Sequence, residues 1–164
     1  MKKIIVGLLT ALFFLGCSAK EVNENLVPKL VVGKSLEKVS LHDQFGKLHK
    51  IEQETKTLIF AFSKDSAHTC NDYFMTKSAT YLQDNHTQFI ADVSAAPSII
   101  RSLFIMPGLK DFKHTVLVLD DKSVALEFRG GMDTEKIVVI SVDDFKVSSI
   151  KNITTQKELL EVIE

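Results

Sequence analysis

Cysteine is scarce in this chain, which has only Cys17 and Cys70, and that excludes the disulfide framework on which small secreted domains rely. Long apolar runs are missing too. Spanning a bilayer takes about 20 residues, whereas the run from Ile4 to Leu15 is shorter and is interrupted by Gly7 and Thr10. Neither sign of charge dominates: 20 Lys and Arg stand against 21 Asp and Glu. The two are intermixed, without the basic stripe that neutralises nucleic-acid phosphates, so nucleic acid is not a partner. The chain has no glycine-rich phosphate loop, no Gly-x-Ser-x-Gly elbow, no internal repeat and no low-complexity tract.

What the chain does have begins at its amino end. Lys2 and Lys3 precede the apolar run, and Phe14-Leu15-Gly16-Cys17 closes it with a small residue directly before a cysteine. This resembles the leader of bacterial lipoproteins, with Phe14 where leucine is usual. The resemblance implies that residues 1–16 are removed as a signal peptide and that the Cys17 sulfur carries a diacylglycerol. A further acyl chain on the new amino terminus is commonly added, and several chains anchor far more firmly than one. A plain secretory leader cut elsewhere and an uncleaved anchor are the alternatives. Ser18, next to the lipidated cysteine, accords with sorting to the outer membrane of a Gram-negative cell. The expected place is therefore its inner leaflet rather than the inner membrane, facing the periplasm. The expected partners are the membrane, through lipid on Cys17, and an envelope protein.

Removing the leader takes the formal charge from -1 to -3 and leaves 148 residues, enough for one domain with a core. Residues 17–34 are polar and aperiodic, as a tether is, although Leu30 to Val32 can pack; the domain is expected over residues 35–164. Leu36 to Ile51 alternates around Asp43-Gln44-Phe45-Gly46-Lys47 and predicts a β-hairpin. Thr57 to Phe62 is a nearly unbroken apolar run, the composition of a strand covered on both faces.

Ser63-Lys64-Asp65-Ser66 follows, with Asp65 or Ser66 as the expected helix cap. The recurrence of Ala67, Cys70, Phe74, Ser78 and Tyr81 predicts one helix reaching about Leu82. A strand is expected over Thr87 to Val93. A helix then opens near Pro97 and is broken by Met106-Pro107-Gly108. Thr115 to Leu119 is the next strand, with Val124 to Phe128 as its hairpin mate across Asp120-Asp121-Lys122-Ser123. Ile137 to Val142 and Phe145 to Ile153 are further strands, and Thr155 to Ile163 a closing helix. The fold class is α/β, a mixed central sheet flanked by helices with an N-terminal β-hairpin.

The element order and the passage Phe62-Ser63-Lys64-Asp65-Ser66-Ala67-His68-Thr69-Cys70 resemble the thioredoxin-like superfamily and its Phe-Trp-Ala-x-Trp-Cys-x-x-Cys turn. The hairpin before it resembles the extension seen in peroxiredoxins, membrane-tethered thiol reductases and copper-delivering SCO proteins. In the family the first cysteine sits at the helix start, where the helix dipole lowers its pKa. Here Ala67 takes that place, in Ala67-His68-Thr69-Cys70, and Cys70 matches the resolving partner. Attack and resolution need two sulfurs, so the resemblance implies a degenerate redox site. The family's cis-proline, commonly in Pro-Thr before the third strand, falls on His114-Thr115, or on Pro107 if the intervening loop turns back.

The remaining chemistry rests on few residues. Cys70 with His68 or His114 as a base is a candidate single-cysteine nucleophile, although positions two apart on a helix do not face each other and the apolar stripe marks Cys70 as a small core residue. His68, Cys70 and His114, with Met106, have the ligand types of a copper or zinc site, without the second cysteine that SCO-like sites use. No cofactor is expected. His42, His49 and His86 are expected to be solvated, and Asp120-Asp121 and Asp143-Asp144 to sit in turns. The function that follows is a cell-envelope lipoprotein whose redox-degenerate domain binds or assembles. A one-cysteine thiol enzyme or mixed-disulfide adaptor, and a copper handler, are the rivals.

Overall fold

The computed structural model describes residues 26–164; the leader, Cys17 and the first part of the tether lie outside them. Seven strands form one mixed sheet: β1 (Ser40–Asp43), β2 (Leu48–Lys50), β3 (Thr57–Ala61), β4 (Thr87–Asp92), β5 (Leu117–Leu119), β6 (Ile137–Asp143) and β7 (Lys146–Ile153). They lie in the order β2-β1-β5-β4-β3-β6-β7. β3, β4 and β5 run parallel, while β6 lies antiparallel beside β3 and β1 antiparallel beside β5. The expected mixed sheet with its amino-terminal hairpin is therefore present.

β3 occupies the centre because its side chains are apolar on both faces. Leu58, Phe60 and Phe62 enter one core, Ile59 and Ala61 the other. The first core is closed by α5 (Lys122–Arg129) through Ala125 and Phe128, together with Leu30 and Leu36. The second is closed by α1 (Lys64–Met75), α2 (Tyr81–Asp84), α4 (Met106–Leu109) and α6 (Gln156–Ile163). α4 is the last turn of a helical segment that opens as α3 (Ser98–Ile100) and passes through a π turn at Arg101–Ile105. Among the described residues no helix is long and apolar enough to cross a membrane.

Several expectations are corrected. Val124 to Phe128 is not a strand. Asp121 Oδ1 accepts from the Ser123 and Val124 amides, and Ala125 and Phe128 turn inward while Leu126 is exposed, a helical rather than an alternating period. Pro107 does not break its helix. The Met106 N–H donates to the Arg101 carbonyl five residues back, so the wider turn immediately precedes the residue that has no N–H to give. The first helix ends at Met75 rather than near Leu82. The Thr76 hydroxyl and amide both bond the Tyr73 carbonyl, the hydroxyl at 2.6 Å, which closes the last turn.

The packed chain also begins before residue 35. Leu30 is buried, the Lys29 amide donates to Glu127, and a Cβ on Gly130 would stand 3.1 Å from Pro28, so any larger residue there would need the entering chain to give slightly. The hairpin turn uses Gly46 at φ +84°, with Asp43 Oδ1 accepting from the Phe45 and Lys47 amides. His49 is not simply solvated, since its Nε2 meets Asp43 Oδ2 at 2.8 Å. Burial would raise the Asp43 carboxyl, but hydrogen bonds from His49, Lys47 and Phe45 outweigh it and hold it below the usual carboxylate range.

Candidate functional site

The passage singled out in the sequence leaves β3 through Phe62, whose ring stacks on Phe60 at 5.5 Å, and enters α1 through Ser63. The helix cap is Ser63, not Asp65 or Ser66. Its Oγ accepts from the Ser66 amide at 3.3 Å while Ser66 Oγ accepts from the Ser63 amide at 3.2 Å, and the two hydroxyl oxygens are 3.0 Å apart. This is a capping box built from two serines.

Ala67 is consequently the fourth helical residue, and its amide is already spent on the Ser63 carbonyl at 3.0 Å. The ungapped placement of the cysteine motif lands one turn too deep. The residues that stand at the mouth are Ser63 and Ser66, two hydroxyls at the three-residue spacing. No residue from Ser63 to Thr69 is a cysteine. The spacing Ser-x-x-Ser was the signal for this cap.

Cys70 lies a further turn inside with no exposed surface, among Ile59, Tyr73 and Phe74 in the second core. Burial pushes its thiol up, so it stays protonated and cannot act as a thiolate nucleophile at neutral pH. His68 is exposed and Thr69 half-buried, its hydroxyl donating to the Asp65 carbonyl. His68 and Cys70 thus occupy opposite sides of the helix.

His114 is buried, 1% exposed, with its ring 5.3 Å from Phe74 and from Phe112 and 6.2 Å from Phe89. Its Nε2 meets Asn71 Oδ1 at 3.0 Å, and its Nδ1 has no partner. Burial, helped by the neighbouring charge of Lys113, lowers its pKa to about 4, so the ring is neutral at pH 7. Gln44 braces the same strand, donating through Nε2 to the His114 carbonyl and accepting at Oε1 from the Val116 amide. Met106 is half-buried against the second core. Exposed His68 and buried His114 are not brought together, and among the described residues no three His, Cys, Asp or Glu gather in a way that could hold a metal ion.

Strand pairing decides what faces the mouth of α1. Ala61 pairs with Ile137, which sets Glu135 and Lys136, both exposed, beside the exit from β3. His114-Thr115 leads instead into β5, which is not a neighbour of β3. Leu117 is level with Ile90 and, through it, with Phe60. His114 therefore stands about 10 Å toward the opposite end of the sheet. Thr115 is exposed, as is Pro107, which stands within α4. Among the described residues no peptide bond is cis. Neither His114 nor Pro107 fills the place that the family gives to its cis-proline.

No protein-family model matches the chain, and no curated protein matches it in sequence. Solved structures do. It is similar to a pneumococcal exposed lipoprotein thioredoxin from Streptococcus pneumoniae, at TM-score 0.53 and 15% identity, over 76% of this chain and 96% of that one. A thiol:disulfide interchange protein DsbE of Chlorobium tepidum superposes at TM-score 0.52 and 16% identity, over 81% and 94%. Peroxidoxin BcpB of Mycobacterium tuberculosis does so at TM-score 0.51 and 15% identity, over 80% and 93%. The fold is thioredoxin-like. The likeness is one of architecture, at 15 to 16% identity. Within this thioredoxin-like frame the helix mouth carries hydroxyls in place of sulfur, and the only thiol among the described residues is sealed in the core.

Proposed function

We propose that this chain is a cell-envelope lipoprotein whose thioredoxin-like domain binds or assembles with a partner and does not exchange disulfides. The observation that carries the reading is the mouth of α1, where Ser63, Lys64, Asp65 and Ser66 replace any thiol, with Cys70 fully buried behind them. A dithiol cycle needs two sulfurs in exchange contact, and an isolated thiol held protonated by burial does not substitute for them. The groups around the mouth, Lys64, Asp65, His68, Glu135 and Lys136, are exposed, polar and of mixed charge.

The lipid-anchor part of the reading rests on Lys2, Lys3, the apolar run and Gly16-Cys17, and the orientation to the periplasm rests on the same leader. The reading expects no reduction of insulin disulfides and no consumption of peroxide by the purified mature chain. A maleimide reagent is expected to label Cys70 only after denaturation. Turnover in either assay, or rapid labelling of the native protein that is lost in Cys70→Ser, would overturn it in favour of a single-cysteine thiol enzyme or adaptor.

A further inference from the structure

The segment 98–109 leaves four large apolar side chains in water: Ile99 is 63% exposed, Ile100 42%, Leu103 61% and Phe104 66%. Ile99 and Leu103 stand four residues apart, as do Ile100 and Phe104, so the four form one continuous face across successive turns. Arg101, the charged residue among them, is turned inward, its Nη1 donating to the Ser94 and Asp120 carbonyls at 3.3 and 2.8 Å. Apolar groups gathered this way on one helical face mark an interaction site rather than scattered exposure.

Where the described chain begins indicates what covers the face. Pro28 lies against Gly130, the adjoining Arg129 holds Asp92 at 2.6 Å, and Asp92 in turn accepts from the Ser94 amide, whose residue also receives Arg101. The amino-terminal entry and the apolar face therefore share the end of the sheet at which β3, β4 and β5 finish. Eight residues separate Cys17 from Leu26, a reach of about 28 Å when fully extended. A chain anchored at Cys17 is thus held with this end close to the bilayer.

We infer that Ile99, Ile100, Leu103 and Phe104 seat in the interfacial layer of the membrane that carries the anchor, fixing the orientation of the domain on it. The inference rests on the lipid-anchor reading. The chain contains no tryptophan, so single reporters can be placed by Phe104→Trp and, as a matched control, Phe45→Trp. Phe45 is 65% exposed and lies in the hairpin turn at the opposite end of the sheet.

Each complete chain, produced with its leader in a bacterial host, is purified and placed on vesicles of phosphatidylethanolamine and phosphatidylglycerol. Both are expected to float with the vesicles. The emission of the reporter at 104 should shift to the blue and be quenched by brominated acyl chains, and that at 45 should do neither. If both reporters stay in water on floating vesicles, the docking is overturned while the anchor stands. A reporter at 104 that shifts but escapes the brominated lipid is covered by protein instead, which also overturns the docking. Failure to float overturns the anchor and the docking with it.

Discussion

At residue 114 an ionisable ring sits among Phe74, Phe89 and Phe112 with one nitrogen bonded to Asn71 and the other bare. The folded ring titrates near 4 and a free imidazole near about 6.5, so the unfolded chain takes up the proton first as pH falls. Stability is full above about pH 6.5 and declines toward pH 4 by about 3 kcal/mol in all. Urea midpoints at pH 7 and pH 4.5 should separate accordingly, and His114→Gln should flatten that separation. Asp43, held low, adds its loss only on further acidification through its own pKa.

The second residue-scale expectation concerns Ser63 and Ser66, whose hydroxyl oxygens are 3.0 Å apart. Ser63→Cys with Ser66→Cys restores the Cys-x-x-Cys spacing at the helix start, and air oxidation should then consume two thiols in a denaturing thiol count. The cost is the serine capping box, about 1 kcal/mol.

Elements were legible where composition and spacing agreed. β3 was readable because an unbroken apolar run has no polar face to offer water, and α6 because Thr155 and Glu158 form a capping box before an amphipathic turn. α5 was not, because Val124 and Phe128 have strand-like composition while their spacing is helical, and only the cap at Asp121 separates the two. Asp121→Ala should therefore destabilise the protein by about 1 kcal/mol in thermal or urea unfolding, whereas a turn aspartate of a hairpin would have cost less. The length of α1 was misjudged because Ser78 and Tyr81 keep the stripe in register past the point where the Thr76 hydroxyl competes for the backbone. The site could be read directly only in its lack of cysteine from Ser63 to Thr69. It was misplaced by one turn at Ala67 and assigned to the wrong strand at His114, since which strand lies beside β3 is a matter of pairing that no local pattern of residues records.

At the scale of the whole molecule, seven strands in the order β2-β1-β5-β4-β3-β6-β7 leave two open borders. One is β2, only three residues long, which offers little ladder to a stranger. The other is β7, whose start is covered by the entering chain, since Val147 bonds both Gly33 and Lys34 and Ser35 bridges Lys146; beyond it Ser148, Ser149, Lys151 and Asn152 are exposed. Lysine on an edge strand opposes pairing with another sheet. Lys151→Val should therefore bring concentration-dependent association, visible in sedimentation velocity, with little change in the melting temperature of the monomer. On the proposed lipid anchor that protection would matter more than in solution. Molecules confined to a plane meet one another far more often than the same number spread through a volume, and with a shared orientation their borders come into register. A lysine-studded hem lets such a layer become dense without knitting into a continuous sheet.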